Sequence, residues 1–215
     1  MSSDFPSYTR PELIADGCVH AIGVIAGLCA GAILIAIALT HLSPGAAAAV
    51  VVYALGMLAV FCFSAAYNLN RGPRRWLLQR FDHAAIYVKI AATYTPFAAV
   101  KLGGLAGFSL LGAVWGIAVL GAAAKLIMPA QFVRTSYVLY LAQGWACVFA
   151  LPPLMQALSG TALVLLLIGG VLYTVGVVFH LWQSLPYHNA IWHGFVLTAS
   201  ACHFAAVLDA VVLSS

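Results

Sequence analysis

Carboxylate, imidazole, amide and amine side chains occur in this sequence at spacings that matter. Asp82 and His83 stand side by side at the head of an apolar run, FDHAAIYVKIAATYTPF (residues 81–97), which Lys89 interrupts. Asp16 and His20, Ser64 and Asn68, and Asn189 and His193 are each four residues apart. On a helix each of these pairs shares a face. His188 and His193 are five apart and do not. Carboxylates with imidazoles ligate metals or move protons; with amides and hydroxyls they bind the polar part of a ligand. Asp, His and Lys are costly in hydrocarbon, so in an apolar chain they must be paired, wet or functional. Asp82 taken alone also reads as a helix cap, or as the ion-pair partner of Arg75 or Arg80. Lys89 lies seven residues beyond Asp82, on the same face and about 10 Å deeper. It snorkels, pairs with a carboxylate or titrates. His203 reads as a packed core histidine, and Asp209 as an interface residue.

The elements that position these groups are membrane spans. Of 215 residues, 64% are hydrophobic and 7% charged, with a mean hydropathy of +1.05. A soluble domain carries about 25% charged residues, so this surface is not built for water. The chain reads as all-α: a polytopic membrane protein forming a seven-transmembrane-helix bundle. A short polar arm (1–17), in which Pro11 and Glu12 suit the first turn of a helix, precedes a single seven-helix domain (18–215). The spans fall near 18–40, 46–68, 82–100, 105–125, 137–154, 161–182 and 190–213, with Pro152 and Pro153 interrupting the fifth near its end. The arm lacks the layout of a cleaved signal peptide. Counting Lys and Arg near the span ends gives seven on the side of Arg10, Arg71, Arg74, Arg75, Arg80, Lys125 and Arg134, against Lys101 alone on the other. The positive-inside rule then predicts a cytoplasmic N-terminus and an outside C-terminus. Trp76, Trp182 and Trp192 are expected near the cytoplasmic boundary. The net charge of +4 reports topology, and no nucleic-acid partner is expected. Five irregularly spaced cysteines read as buried hydrophobes without a disulfide framework. Gly23, Gly27 and Gly31 form a small-residue face, expected to pack internally rather than as a dimer seam.

This topology brings Asp16, His20, Ser64, Asn68, Asp82, His83, His188, Asn189 and His193 to one membrane depth near the cytoplasmic side, from four different helices. Several stretches, ADGCVHAIG (15–23), SAAYN (64–68), FDHAAIYVKIAATYTPF (81–97) and NAIWHGFVLTASACHF (189–204), resemble the hemolysin III branch of the progestin and adipoQ receptor (PAQR) family. The resemblance implies a compact seven-helix bundle with a cytoplasmic N-terminus. The wider superfamily carries a Ser, an Asp and three His that bind zinc near the cytoplasmic side, and members with lipid amidase activity use that metal for hydrolysis. Carried onto this chain, Ser64 matches the family serine, Asp82 the aspartate and His193 one histidine. The other two histidine positions are Asn68 and Asn189, and a neutral amide is a poor zinc ligand beside imidazole. The amides disfavour zinc and suggest a hydrogen-bonded network in its place, with His193 the only retained family ligand.

The sequence therefore predicts a multi-pass protein of the cell inner (plasma) membrane, with a role in membrane or lipid homeostasis. Ser64, Asp82 and His193 are the candidate catalytic residues. Asn68, His83, Asn189 and His20 are the candidate ligand-binding residues, and membrane lipids are the expected partners. The alternatives are a zinc-dependent lipid amide or ester hydrolase, a proton or ion conduit through Asp82, His83, Lys89, His193 and His203, and, ranked last, a pore-forming haemolysin. A homo-oligomer is left open.

Overall fold

The structure is a computed structural model that describes residues 8–129 and 133–213. The first seven residues of the expected arm, residues 130–132 of the fourth connection and residues 214–215 lie outside the described residues. The helices are α1 (Arg10–His41), α2 (Pro44–Leu69), α3 (Arg75–Pro96), α4 (Gly104–Ile127), α5 (Val133–Gly144), α6 (Leu151–Ala157), α7 (Gly160–Leu181) and α8 (His188–Val207). Among the described residues there is no strand. Wide π turns extend α3 over Phe97–Leu102 and α8 over Leu208–Leu213. With α5 and α6 joined as one broken rod, the described residues form seven rods.

Six of these rods are long and apolar enough to cross a membrane: α1, α2, α4, the α5–α6 rod (Thr135–Ala157), α7, and α8 with its π turn. The exception is α3, whose composition is diluted by Arg75, Arg80, Asp82 and Lys89. Each rod packs against its neighbours in sequence, α5 lies against α3, α4 and α7, and α8 returns to α1, so the rods close into a ring. The usual polarity of a globular protein is inverted. Ile14, Ile25, Leu39, Leu105 and Phe149 face outward, while Asp82, Lys89 and Gln143 are buried. This is the arrangement expected where the surrounding medium is hydrocarbon.

Local chemistry sets several boundaries. Helix α1 begins at Arg10, with Pro11 and Glu12 in its first turn as expected, and runs without a break into the span expected from Cys18, because Glu12 closes that turn. The Glu12 carboxylate accepts from the Thr9 N–H at 2.8 Å and from the Thr9 hydroxyl at 2.7 Å. The polar arm is thus largely the first turns of α1, which carries Asp16 on a continuous helix. Ser43 and Ser159 cap α2 and α7 by accepting from Ala46 N–H and Ala162 N–H. In the fifth rod the interruption comes before the prolines, as a 3-10 turn over Ala146–Ala150. Pro152 and Pro153 instead fall in the first turn of α6, where no intrahelical N–H is required. Tyr94 takes up polar groups at the break: its hydroxyl donates to Gly144 O at 2.6 Å and accepts from Cys147 N–H at 3.0 Å. Backbone irregularity inside a membrane needs such internal satisfaction.

The small-residue face of α1 packs internally, as expected. Gly23, Gly27 and Gly31 are buried, and a Cβ on Gly27 would lie 2.7 Å from the Phe61 ring of α2. All five cysteines are free, but Cys18, Cys29 and Cys62 are exposed on the outer surface rather than buried. Their small apolar side chains suit a surface facing lipid.

Candidate functional site

Three helices each present two polar side chains one turn apart, and these six groups meet. From α1 come Asp16 and His20, from α2 Ser64 and Asn68, and from α8 Asn189 and His193. Asp16 is the hub. Its Oδ1 lies 2.6 Å from His193 Nδ1, and its Oδ2 accepts from the Asn189 amide at 3.0 Å. His20 Nε2 stands 3.5 Å from the same Oδ2. The His20 and His193 rings lie 4.2 Å apart between centroids. On the far side of His193, Nε2 faces Ser64 Oγ at 3.4 Å. The Asn68 amide donates to Ser64 O at 3.0 Å and to Ser64 Oγ at 3.4 Å. The Asn68 carbonyl accepts from Asn189 at 3.3 Å. Asp82 of α3 is buried and hydrogen-bonds Ser64, so a fourth helix closes the group.

The register that brings α1 and α8 together is fixed one turn outside the cluster. Glu12 Oε1 accepts from the Tyr187 N–H at 3.0 Å. Tyr187 precedes α8 with a left-handed backbone, φ 61°, a conformation that disfavours a bulky non-glycine residue. The Glu12 contact holds that turn, and α8 then starts at the height where Asn189 and His193 meet Asp16.

Of the candidate residues, Ser64, Asp82, His193, Asn68, Asn189 and His20 are brought together. His83 is not. It lies one residue on from Asp82, about 100° round the helix; its ring meets the edge of Tyr67 at 6.4 Å. His188 also turns away, with its ring 5.7 Å from Tyr8. The spacing pairs Asp16 with His20 but contains nothing that makes Asp16 the hub; only the approach of α8 does that.

Lys89 belongs to a second, deeper cluster. Its amine donates to the Tyr173 hydroxyl and lies 4.0 Å from the centre of that ring. Tyr173 shares a 2.6 Å hydrogen bond with Ser200. The His203 ring lies 5.6 Å from Tyr173, and its Nε2 approaches Leu166 O at 3.4 Å. A phenol on α7 is therefore the partner of the amine. Tyrosine in an apolar helix carries no sequence signal for that role. Gln143, fully buried, likewise escapes sequence reading; it donates to Tyr87 O and Val114 O and ties α5 to α3 and α4.

Both clusters border one cavity of about 940 Å³ inside the ring. His20, Ser64, Asp82 and His193 line one part of it; Lys89 and Tyr173 line another, with Leu110, Leu154 and Leu163 among the apolar walls. Its volume lies in the range of a ligand pocket.

Such a fold and site define a multi-pass helical membrane protein with a polar pocket buried in its bundle. A family model described as Haemolysin-III related matches residues 11–204, and the chain belongs to that family. It is 40% identical over 198 residues to Hemolysin-3 of Bacillus cereus, covering 92% of this chain and 90% of the relative. It is 38% identical over 202 residues to the Hemolysin-3 homolog of Bacillus subtilis (strain 168), covering 94% and 95%. A more distant likeness, 27% over 164 residues, is to the human Monocyte to macrophage differentiation factor, with 73% of this chain and 67% of the relative covered.

The resemblance leads one to expect zinc ligands at the positions of Asn68, Asn189 and His193. Here both amides are engaged in hydrogen bonds: Asn68 donates to Ser64, and Asn189 donates to Asp16 and to Asn68. A different set, Asp16, His20 and His193, offers one donor atom each, all within 4.8 Å of one another.

Proposed function

We propose that this protein binds a membrane amphiphile inside its helical ring and serves membrane or lipid homeostasis in the plasma membrane. The polar head sits against Ser64, Asn68, Asp82, Asn189 and His193, and the chain lies along the apolar walls. The observation that carries this reading is a cavity of about 940 Å³ that Ser64, Asp82 and His193 border and that Leu110, Leu154 and Leu163 wall with apolar surface. The reading includes α3 as a seventh span, with the polar pocket near the cytoplasmic leaflet. Asp82 and Lys89 face the interior of the ring, which lowers the cost of placing α3 in hydrocarbon.

The test is lipid retention. The protein is purified in mild detergent, and its bound lipids are measured by mass spectrometry. Ile90→Trp, which fills the cavity, and Asn68→Leu, which removes a polar contact, are each expected to reduce the retained amphiphile severalfold. Retention equal to wild type in both variants would overturn the reading.

A further inference from the structure

We propose that Lys89 and Tyr173 form a second polar subsite in the cavity, which takes a carboxylate of the bound amphiphile while an uncharged hydroxyl head stays at the Asp82 end. The ligand is then a long-chain acid with two polar functions, of the hydroxy-acid class. The inference rests on the amphiphile reading and deepens it, since it names what that amphiphile carries.

Three observations carry it. First, Lys89 brings a charge that its own contacts do not balance. It is 5% exposed. Its amine donates to the neutral Tyr173 hydroxyl and lies 4.0 Å from the centre of that ring. Among the described residues, the ion pairs are those of Asp16 with His20 and His193, and none reaches Lys89. An ammonium has three N–H donors, and Tyr173 takes one of them. A buried charge is tolerated where an opposite charge meets it and hydrogen bonds complete it. A ligand carboxylate supplies both.

Second, the subsite opens onto the cavity. Lys89, Tyr173 and His203 all line it. The His203 ring lies 5.6 Å from Tyr173, and among the described residues its Nδ1 is buried without a hydrogen-bond partner. Another polar atom is thus at hand beside the amine. Third, the charges are ordered along one wall. Lys89 follows Asp82 by seven residues on α3, so it lies on the same face and about 10 Å further along. Ile86 lines the wall on the turn between them. At the first end Asp82 and Asp16 present carboxyl groups, which accept from a hydroxyl and disfavour an acid. At the second end an amine attracts an acid. A ligand with one neutral head would lay hydrocarbon against Lys89. A hydroxyl at Asp82 and a carboxylate at Lys89 satisfy both ends, and Leu110, Leu154 and Leu163 wall the rest of the chain. Lys89 is therefore the residue that sets the preference for an acid.

The test is binding by the full-length protein in mild detergent. The radiolabelled probes are ricinoleic acid, whose hydroxyl stands a comparable distance from its carboxylate, and methyl ricinoleate, which keeps the chain and hydroxyl but removes the charge. Wild type is expected to bind the acid roughly 10- to 100-fold more tightly than the ester, the range for a charge-assisted hydrogen bond. Lys89→Met and Lys89→Gln should bind both probes alike. The glutamine variant keeps a polar partner for Tyr173, and thermal unfolding verifies that each variant is folded. Acetate carries the charge without the chain and should not displace the acid at equal concentration. Equal binding of acid and ester by wild type, an acid preference that persists in both Lys89 variants, or displacement by acetate would each overturn the proposal. Wild type that retains lipid but binds neither probe would overturn this inference alone, whereas failure of the lipid-retention test would overturn the amphiphile reading with it.

Discussion

Lys89 illustrates how a costly residue is accommodated. Its amine is buried and rests on the hydroxyl and ring of Tyr173. Removing one partner of a buried polar pair leaves the other unsatisfied, at a cost of about 1–3 kcal/mol, whereas removing the buried amine itself is milder. Tyr173→Phe should therefore destabilise the protein more than Lys89→Met in thermal unfolding. The opposite order would mean that Lys89 contributes something other than a satisfied pair. The sequence poses the problem of Lys89 clearly, since a charge in an apolar run stands out. It does not supply the answer, because Tyr173 is 84 residues away and tyrosine is ordinary in such a helix. The same limit separates Asp82 from His83. Both look equally chemical in sequence, and one step of helical rotation puts the first in the cluster and the second against Tyr67.

At the scale of elements, the α1–α2 contact governs the site. Asp16 and His20 reach His193 only if α1 lies close to its neighbours, and Gly27 permits that approach against Phe61. Gly27→Leu should force the helices apart and destabilise the protein by about 1–3 kcal/mol. Its oligomeric state, measured by light scattering in detergent, should not change. A shift in oligomeric state with unaltered melting would instead identify the glycine face as a seam between copies. The helices themselves are legible from their apolar runs and capping residues, and most ends fall within a few residues of expectation. The exceptions are α1, the fifth rod and α3, which begins at Arg75 rather than near Asp82. In the first, the Thr9–Glu12 cap extends the helix through a stretch that looks like an arm. In the second, the prolines begin a helix rather than break one, because Tyr94 from α3 sustains a break several residues earlier.

For the whole molecule, the ring closed by α8 on α1 makes the pocket. With α3 as the proposed seventh span, the odd number of spans would place the two ends of the chain on opposite sides of the membrane. Tags at the N- and C-termini, probed in intact and permeabilised cells, should give an N-terminus accessible only after permeabilisation and a C-terminus accessible without it. Both termini on one side would exclude α3 as a span. Composition alone determines that this is a multi-pass helical protein, since a surface so poor in charge cannot face water. Residue spacing alone determines that Asp16/His20, Ser64/Asn68 and Asn189/His193 act as pairs, since a helix repeats every 3.6 residues. Which pairs meet is a different kind of fact. It depends on the rotation and approach of helices far apart in sequence, and these are set by side-chain packing between them. Only the tertiary structure makes Asp16 the hub, turns His83 aside and gives Lys89 its phenol.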